Sequence, residues 1–313
     1  MLLSRQGWAD ALIELGEKDP RIVVLDADLA KSTLTCQFKD KFPKRFFDMG
    51  IAEQNMINVA GGLSLTGLIP FVTTYGVFVS GRAWEQIRTS VCYGNLNVKF
   101  GGAHGGISVG PDGATHQALE EITIMRVLPG MTVIVPTDYY ETKKAVLASV
   151  EINGPVYIRF GREKVPVVTT KDMPFKIGKA ITMKEGKDVS IIACGIMVSE
   201  ALEAAEELAK NGVNAEVINL HTIKPIDRAA ILESAKKTGC VVTAEEHQLA
   251  GGMGSAVLEV LAQEMAVPVE MVGIKDTFGE SGQPGELMEK YGITAKEIIA
   301  QSLKVIARRP VLT

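Results

Sequence analysis

Hydrophobic positions along the chain alternate between two rhythms. Residues 7–17 place Trp8, Leu12 and Leu15 at helical spacing, and the unbroken apolar run of residues 22–25, closed by Asp26, reads as a buried strand. Further strands are expected at 46–49, 69–73, 98–101, 132–135 and 156–160, with helical patterns such as 53–66 and 138–150 between them. Apolar strands separated by helix-length segments predict a mostly parallel sheet covered on both faces. From 165 to 184 the periodicity breaks around Pro166, Thr169, Thr170, Pro174 and scattered lysines, which marks a linker. The alternation then resumes, with strands expected at 189–193, 215–220, 241–244 and 269–274. Helices are expected at 198–210, 227–237, after the G-G-M-G of residues 251–254, and at 294–308. The expected fold class is α/β, with two doubly wound domains at 1–165 and 185–313 joined by a linker at 166–184.

Length agrees, since 313 residues suffice for about two domains, each with its own core. Charge removes some partners. A net charge of −4 with 22% charged residues of both signs provides no basic field for nucleic acid or an anionic membrane. The N-terminus lacks a charged start followed by an apolar core, and no apolar run nears the roughly 18 residues of a membrane span, so a cytoplasmic location is expected. Cys36, Cys92, Cys194 and Cys240 form no C-x-x-C and no metal-ligand spacing, and read as buried thiols in a reducing compartment.

Candidate chemistry concentrates in the first domain. The stretch D-M-G-I-A-E-Q-N-M, residues 48–56, joins a strand end to a helix, with Gly50 at the turn and Glu53 at the helix mouth. Loops at the carboxyl ends of strands are where ligands bind in open α/β sheets. A carboxylate there is stabilised as an anion by the helix dipole, whereas burial in a cleft would favour its protonated form; capping and catalysis both remain open. Residues 101–117, G-G-A-H-G-G-I-S-V-G-P-D-G-A-T-H-Q, hold His104, Asp112 and His116, two of the chain's 4 histidines, in a glycine-rich loop. Such groups bind hydroxyls and move protons near neutral pH. A surface loop with local turn bonds accounts for the same spacing, and a metal site fits it less well. Tyr75 and Phe78 place two rings on one side of an expected helical turn, with Arg82 on the next turn; they suit a planar heterocycle or a plain core. Arg5, Ser32 and Arg162 lie near element ends and could hold a phosphate. G-G-M-G lacks the full G-x-G-x-x-G and reads as tight helix–strand packing.

Together these segments resemble the C-terminal half of transketolase, a thiamine-diphosphate enzyme of sugar interconversion. The resemblance spans the chain and rests on F-D-M-G-I-A-E-Q-N-M, Tyr75 to Phe78, H-G-G-I-S-V-G-P-D-G-A-T-H-Q, the G-R-E of residues 161–163, the I-K-P-I-D of residues 223–227 and the G-I-K-D-T-F-G-E-S-G of residues 273–282. It implies a pyrimidine-binding domain followed by the smaller C-terminal domain. The family's diphosphate-binding domain, with its G-D-G motif and Mg²⁺ ligands, has no counterpart. The implied partner is therefore a separate N-terminal subunit carrying the Mg²⁺ and diphosphate site, in an α₂β₂ assembly, with this chain inactive alone.

By the same resemblance, Glu53 hydrogen-bonds the aminopyrimidine of thiamine diphosphate, and Tyr75, Phe78 and Arg82 complete the cofactor face. Asp112 and His116 contact sugar hydroxyls, with His116 beside Glu53 as a catalytic candidate. Arg5, Ser32, His104 and Arg162 clamp the sugar phosphate. Deoxyxylulose-phosphate synthase shares G-I-A-E-Q and D-G-x-T-H-Q, but usually lacks a histidine at the place of His104 and is one long chain. The β subunit of 2-oxo acid dehydrogenase E1 has the split architecture without D-G-x-T-H-Q. A scaffold subunit without catalysis is the reading from outside enzymology.

Overall fold

The computed structural model describes residues 1–309; the last four residues assigned to the second domain lie outside them. Its strands are β1 (Leu2–Leu3), β2 (Ile22–Asp26), β3 (Phe46–Asp48), β4 (Ile69–Tyr75), β5 (Lys99–Ala103), β6 (Thr132–Ile134), β7 (Val156–Arg159), β8 (Lys164–Val165), β9 (Ile181–Lys184), β10 (Val189–Ala193), β11 (Ala215–Asn219), β12 (Thr222–Lys224), β13 (Val241–Gln248) and β14 (Val269–Ile274). The larger sheet runs in the order β12-β6-β7-β5-β4-β2-β3 and the smaller in the order β14-β13-β10-β11-β9. All pairings within them are parallel except at the two edges, β12 on β6 and β9 on β11.

Both faces of the larger sheet are buried, which explains the absence of polar alternation in its strands. On β2, Ile22 and Val24 pack with Trp8, Leu12 and Val146, while Val23 and Leu25 face Met56, Ile57 and Ala60. Period-two side-chain direction thus sends neighbouring residues into separate cores. The second of these cores continues into the other domain through Ile192, Ile218, Ile231 and Val257, so the domains share one apolar layer. The far face of the smaller sheet is covered by the helices Met197–Lys210 and Ala295–Ala307.

Four short strands were not expected from the sequence: β1 and β8, which pair antiparallel with each other, and two edge strands of the main sheets. Ile181–Lys184 falls in the stretch read as linker, yet pairs antiparallel with β11. Thr222–Lys224 crosses back to edge the larger sheet against β6. Both are short edge strands, with too few residues for a periodic signal. Residues 78–92 form π-helical turns around a short α-helical segment, and Pro284–Tyr291 adds a helix that the pattern did not indicate.

Candidate active site

The parallel strands of the larger sheet end on one edge, and the order reverses across β2, which lies between β3 and β4. This is the crevice in which open α/β sheets bind ligands. Asp26 closes β2, Tyr75 closes β4, and His104 follows β5. The Tyr75–Ala103 register sets His104 beside Tyr75, with ring centroids 4.0 Å apart.

Glu53 opens the helix Glu53–Leu65, preceded by Gly50 at φ +67°. Met56, Ile57 and Ala60 fix the buried face of that helix, and the Glu53 side chain is only 1% exposed. Its partner is Arg82, whose Nη1 donates to Oε1 at 2.8 Å and to Oε2 at 2.9 Å. The Arg82 guanidinium also lies over the Phe78 ring, 4.3 Å from its centroid. A planar N–H donor therefore bonds the buried carboxylate while covering an aromatic face, the two contacts that an aminopyrimidine requires. The residues fit that half of thiamine diphosphate.

Tyr75 and Phe78 are not two positions of one helical turn, as the spacing suggested. Tyr75 ends a strand and Phe78 starts a π-helical turn, with the rings stacked at 5.8 Å. His116 stands edge-on to both, 5.9 Å from Tyr75 and 5.3 Å from Phe78, with Nδ1 2.9 Å from the Thr115 hydroxyl.

A basic corner adjoins these rings. Arg162 Nη1 donates to the Val109 carbonyl at 2.9 Å and to Asp112 Oδ1 at 3.1 Å. Arg5 Nη1 donates to the Ser32 carbonyl at 2.8 Å, so Ser32 joins the corner through its backbone. Burial lowers the Arg5 pKa, and Arg162 lowers it further. Burial, Arg5, Arg162 and His116 together push His104 down to about 3, leaving its imidazole neutral at physiological pH. His104 Nδ1 and Arg5 Nε are buried without a hydrogen-bond partner among the described residues. Buried polar atoms left unpaired inside a cationic corner fit an anionic, oxygen-rich ligand. All ten residues singled out from the sequence thus gather at one edge of the larger sheet. Among the described residues no group of three or more His, Cys, Asp or Glu side chains gathers as a metal site, and no helix is long and apolar enough to cross a membrane.

Two supporting features escaped the sequence reading. Asp26 is buried and accepts from the Leu29 amide at 2.6 Å and the Thr35 hydroxyl at 2.8 Å, which shapes the turn bearing Ser32. Burial raises its pKa to about 6. Its place at the carboxyl end of an apolar strand was the available signal. The other feature is a buried charge cluster, Glu121, Arg159, Glu245, Glu246 and His247, set between the domains behind the loop. Burial raises the pKa of all three carboxyl groups. One guanidinium faces them all, so the cluster favours retaining a proton.

Comparison with known proteins identifies the family of both domains. Residues 2–168 match the family model of the transketolase pyrimidine binding domain, and residues 178–298 that of the transketolase C-terminal domain. A 6-deoxy-6-sulfo-D-fructose transketolase subunit of Clostridium sp. is 46% identical over 305 residues, covering 97% of this chain and 95% of the relative. The 1-deoxy-D-xylulose-5-phosphate synthase 1 of Geobacter sulfurreducens is 40% identical over 308 residues, covering 96% of this chain and 48% of that protein. A solved structure described as a split gene transketolase in an inactive β4 tetramer superposes with a TM-score of 0.93 at 51% identity, covering 99% of this chain and 100% of the other.

Proposed function

Because the chain belongs to the transketolase family, we propose that it is the pyrimidine-side subunit of a split transketolase, transferring a two-carbon ketol unit from a ketose phosphate to an aldose phosphate. The observation that carries this reading is the buried Glu53 carboxylate, satisfied by a planar donor stacked on Phe78. Bound thiamine diphosphate supplies the electron sink for breaking and making the carbon–carbon bond. In this reading Glu53 accepts a hydrogen bond from a pyrimidine nitrogen and governs its proton, while Tyr75 and Phe78 present the ring face. For that ring to bind, Arg82 must yield its place. His116 and Asp112 bind sugar hydroxyls, with His116 placed to move a proton. Arg5, His104 and Arg162, with the Ser32 turn behind them, take the terminal anion.

Mg²⁺ and the diphosphate would be held by a separate subunit in an α₂β₂ assembly. Ile51, 75% exposed beside Glu53, is an apolar group that such a partner would cover. The synthase relative favours a second reading, a 1-deoxy-D-xylulose-5-phosphate synthase-like half-enzyme. The deciding experiment mixes this chain with a diphosphate-binding partner, thiamine diphosphate and Mg²⁺. Ketose plus aldose phosphates, a sulfonated ketose, and pyruvate plus glyceraldehyde phosphate are supplied in parallel. Ketol transfer in the first arm supports the proposal; product only from pyruvate replaces it with the synthase reading.

A further inference from the structure

The loop from His104 to Gln117 carries three candidate substrate-binding side chains, yet its shape is dictated largely from outside its own domain. Glu246, on β13 of the second domain, accepts a hydrogen bond from the Ser108 amide at 2.6 Å through Oε1. Gly106, at φ +94°, lies so close to that carboxylate that any Cβ would overlap it. Farther along, Gly113, at φ +74°, approaches Ser281 of the second domain so closely that a Cβ would lie 2.6 Å from its Oγ. From the end of the loop, Gln117 Nε2 donates back to the Ile107 carbonyl at 3.2 Å and across to the Glu280 carbonyl at 2.9 Å, tying the loop to the second domain. Gly106 and Gly113 therefore mark where the second domain presses against the loop.

We infer that Glu246 is a positioning residue for substrate binding: through the Ser108 amide, a carboxylate of the second domain holds the loop that sets His104 against Asp112 and His116. It touches neither substrate nor cofactor. The inference rests on the proposed reading of this loop as the substrate-binding element. Arg159, whose Nη2 donates to the Glu246 carbonyl at 2.7 Å, fixes the carboxylate's own strand. Reach and charge can be separated at this site. Glu246→Gln keeps an oxygen within reach of Ser108 and loses the charge, whereas Glu246→Asp keeps the charge facing Arg159 and withdraws the oxygen by one methylene.

Amide hydrogen exchange on the full chain reads loop order without any turnover. Glu246→Asp should accelerate exchange of the Ser108 region about tenfold or more, because the buried Ser108 amide is left without its acceptor, while Glu246→Gln retains most of the protection. The helix Glu53–Leu65 should exchange as in the wild type in both. In the reconstituted complex, Glu246→Asp should raise the sugar KM about tenfold and leave the apparent affinity for thiamine diphosphate within about twofold. Unchanged loop exchange in Glu246→Asp, or greater loosening in Glu246→Gln than in Glu246→Asp, overturns the inference. So does a loosened loop with an unaltered sugar KM. A wild-type complex without ketol transfer defeats the proposed function instead, whatever the exchange data show about the loop.

Discussion

Arg159→Met tests how the two domains are held together. The guanidinium ends β7 buried, paired through Nε with Glu121, 3.9 Å from Glu246 Oε2 through Nη1, and bonded to the Glu246 carbonyl through Nη2. Burial works against this cation, but Glu121 and Glu246 outweigh it and raise its pKa. Methionine fills much of the volume and removes the charge, leaving Glu121, Glu245 and Glu246 without their cation. Breaking a buried pair from one side costs about 3–5 kcal/mol. For a chain of this size that corresponds to a fall in Tm on the order of 10 °C.

The pH dependence has a definite sign. Burial already raises the folded-state pKa of these three carboxyl groups above the usual value of 4.5. A group with a raised folded pKa contributes stability that is fully present below its unfolded pKa and is lost as pH rises through the folded value. Removing Arg159 strengthens that behaviour, so the deficit should be largest near pH 8 and shrink toward pH 5. Urea unfolding and thermal scans of the isolated chain at both pH values measure it. A loss below about 1 kcal/mol at pH 8 would show that Arg159 does not hold the buried carboxyl groups, as would a deficit that grows on acidification.

Three further outcomes follow from the site. Arg162→Ala and His104→Asn should weaken phosphorylated sugars about tenfold more than unphosphorylated analogues, because a charge-assisted contact is lost only with the former; equal losses in KM would remove both residues from the anion corner. His104, with its pKa pushed down to about 3, should show flat imidazole NMR shifts from pH 8 to pH 5. Its depressed folded pKa contributes stability present above the unfolded value and lost as pH falls toward the folded one, and a titration midpoint near 6.5 would show that the ring is not buried as described. Arg82→Gln should cost the isolated chain about 1 kcal/mol, at the low end because Arg82 is 45% exposed; a double-mutant cycle with Glu53→Gln that gives no coupling would contradict the pair.

Most of the α/β layout was legible because fully buried strands leave largely apolar runs, as at Ile22–Asp26, apolar up to its closing aspartate, and Val189–Ala193, broken only by Ser190. Glu53, His104 and Asp112 could be singled out because carboxylates and histidines among glycines at strand ends are unusual enough to notice. Glu245, Glu246 and His247 could not. Three consecutive ionisable residues suggest solvent, and the strand was expected to stop at residue 244, whereas β13 continues to Gln248 with that triplet buried. Burial there depends on Arg159, roughly ninety positions earlier in the chain, a pairing without local periodicity. The edge strand Thr222–Lys224 was illegible for a related reason, since its partner β6 lies in the other domain.

In the proposed function this chain supplies half of an active site, with Glu53 as its proton-governing group. The most direct measurement is ketol-transfer turnover by Glu53→Gln assembled with the diphosphate-binding partner, thiamine diphosphate and Mg²⁺. The variant should assemble normally and lose at least about a hundredfold in kcat, and neither chain alone should turn over. Undiminished turnover by Glu53→Gln, or full activity of the wild-type chain without a partner, would contradict the proposed function.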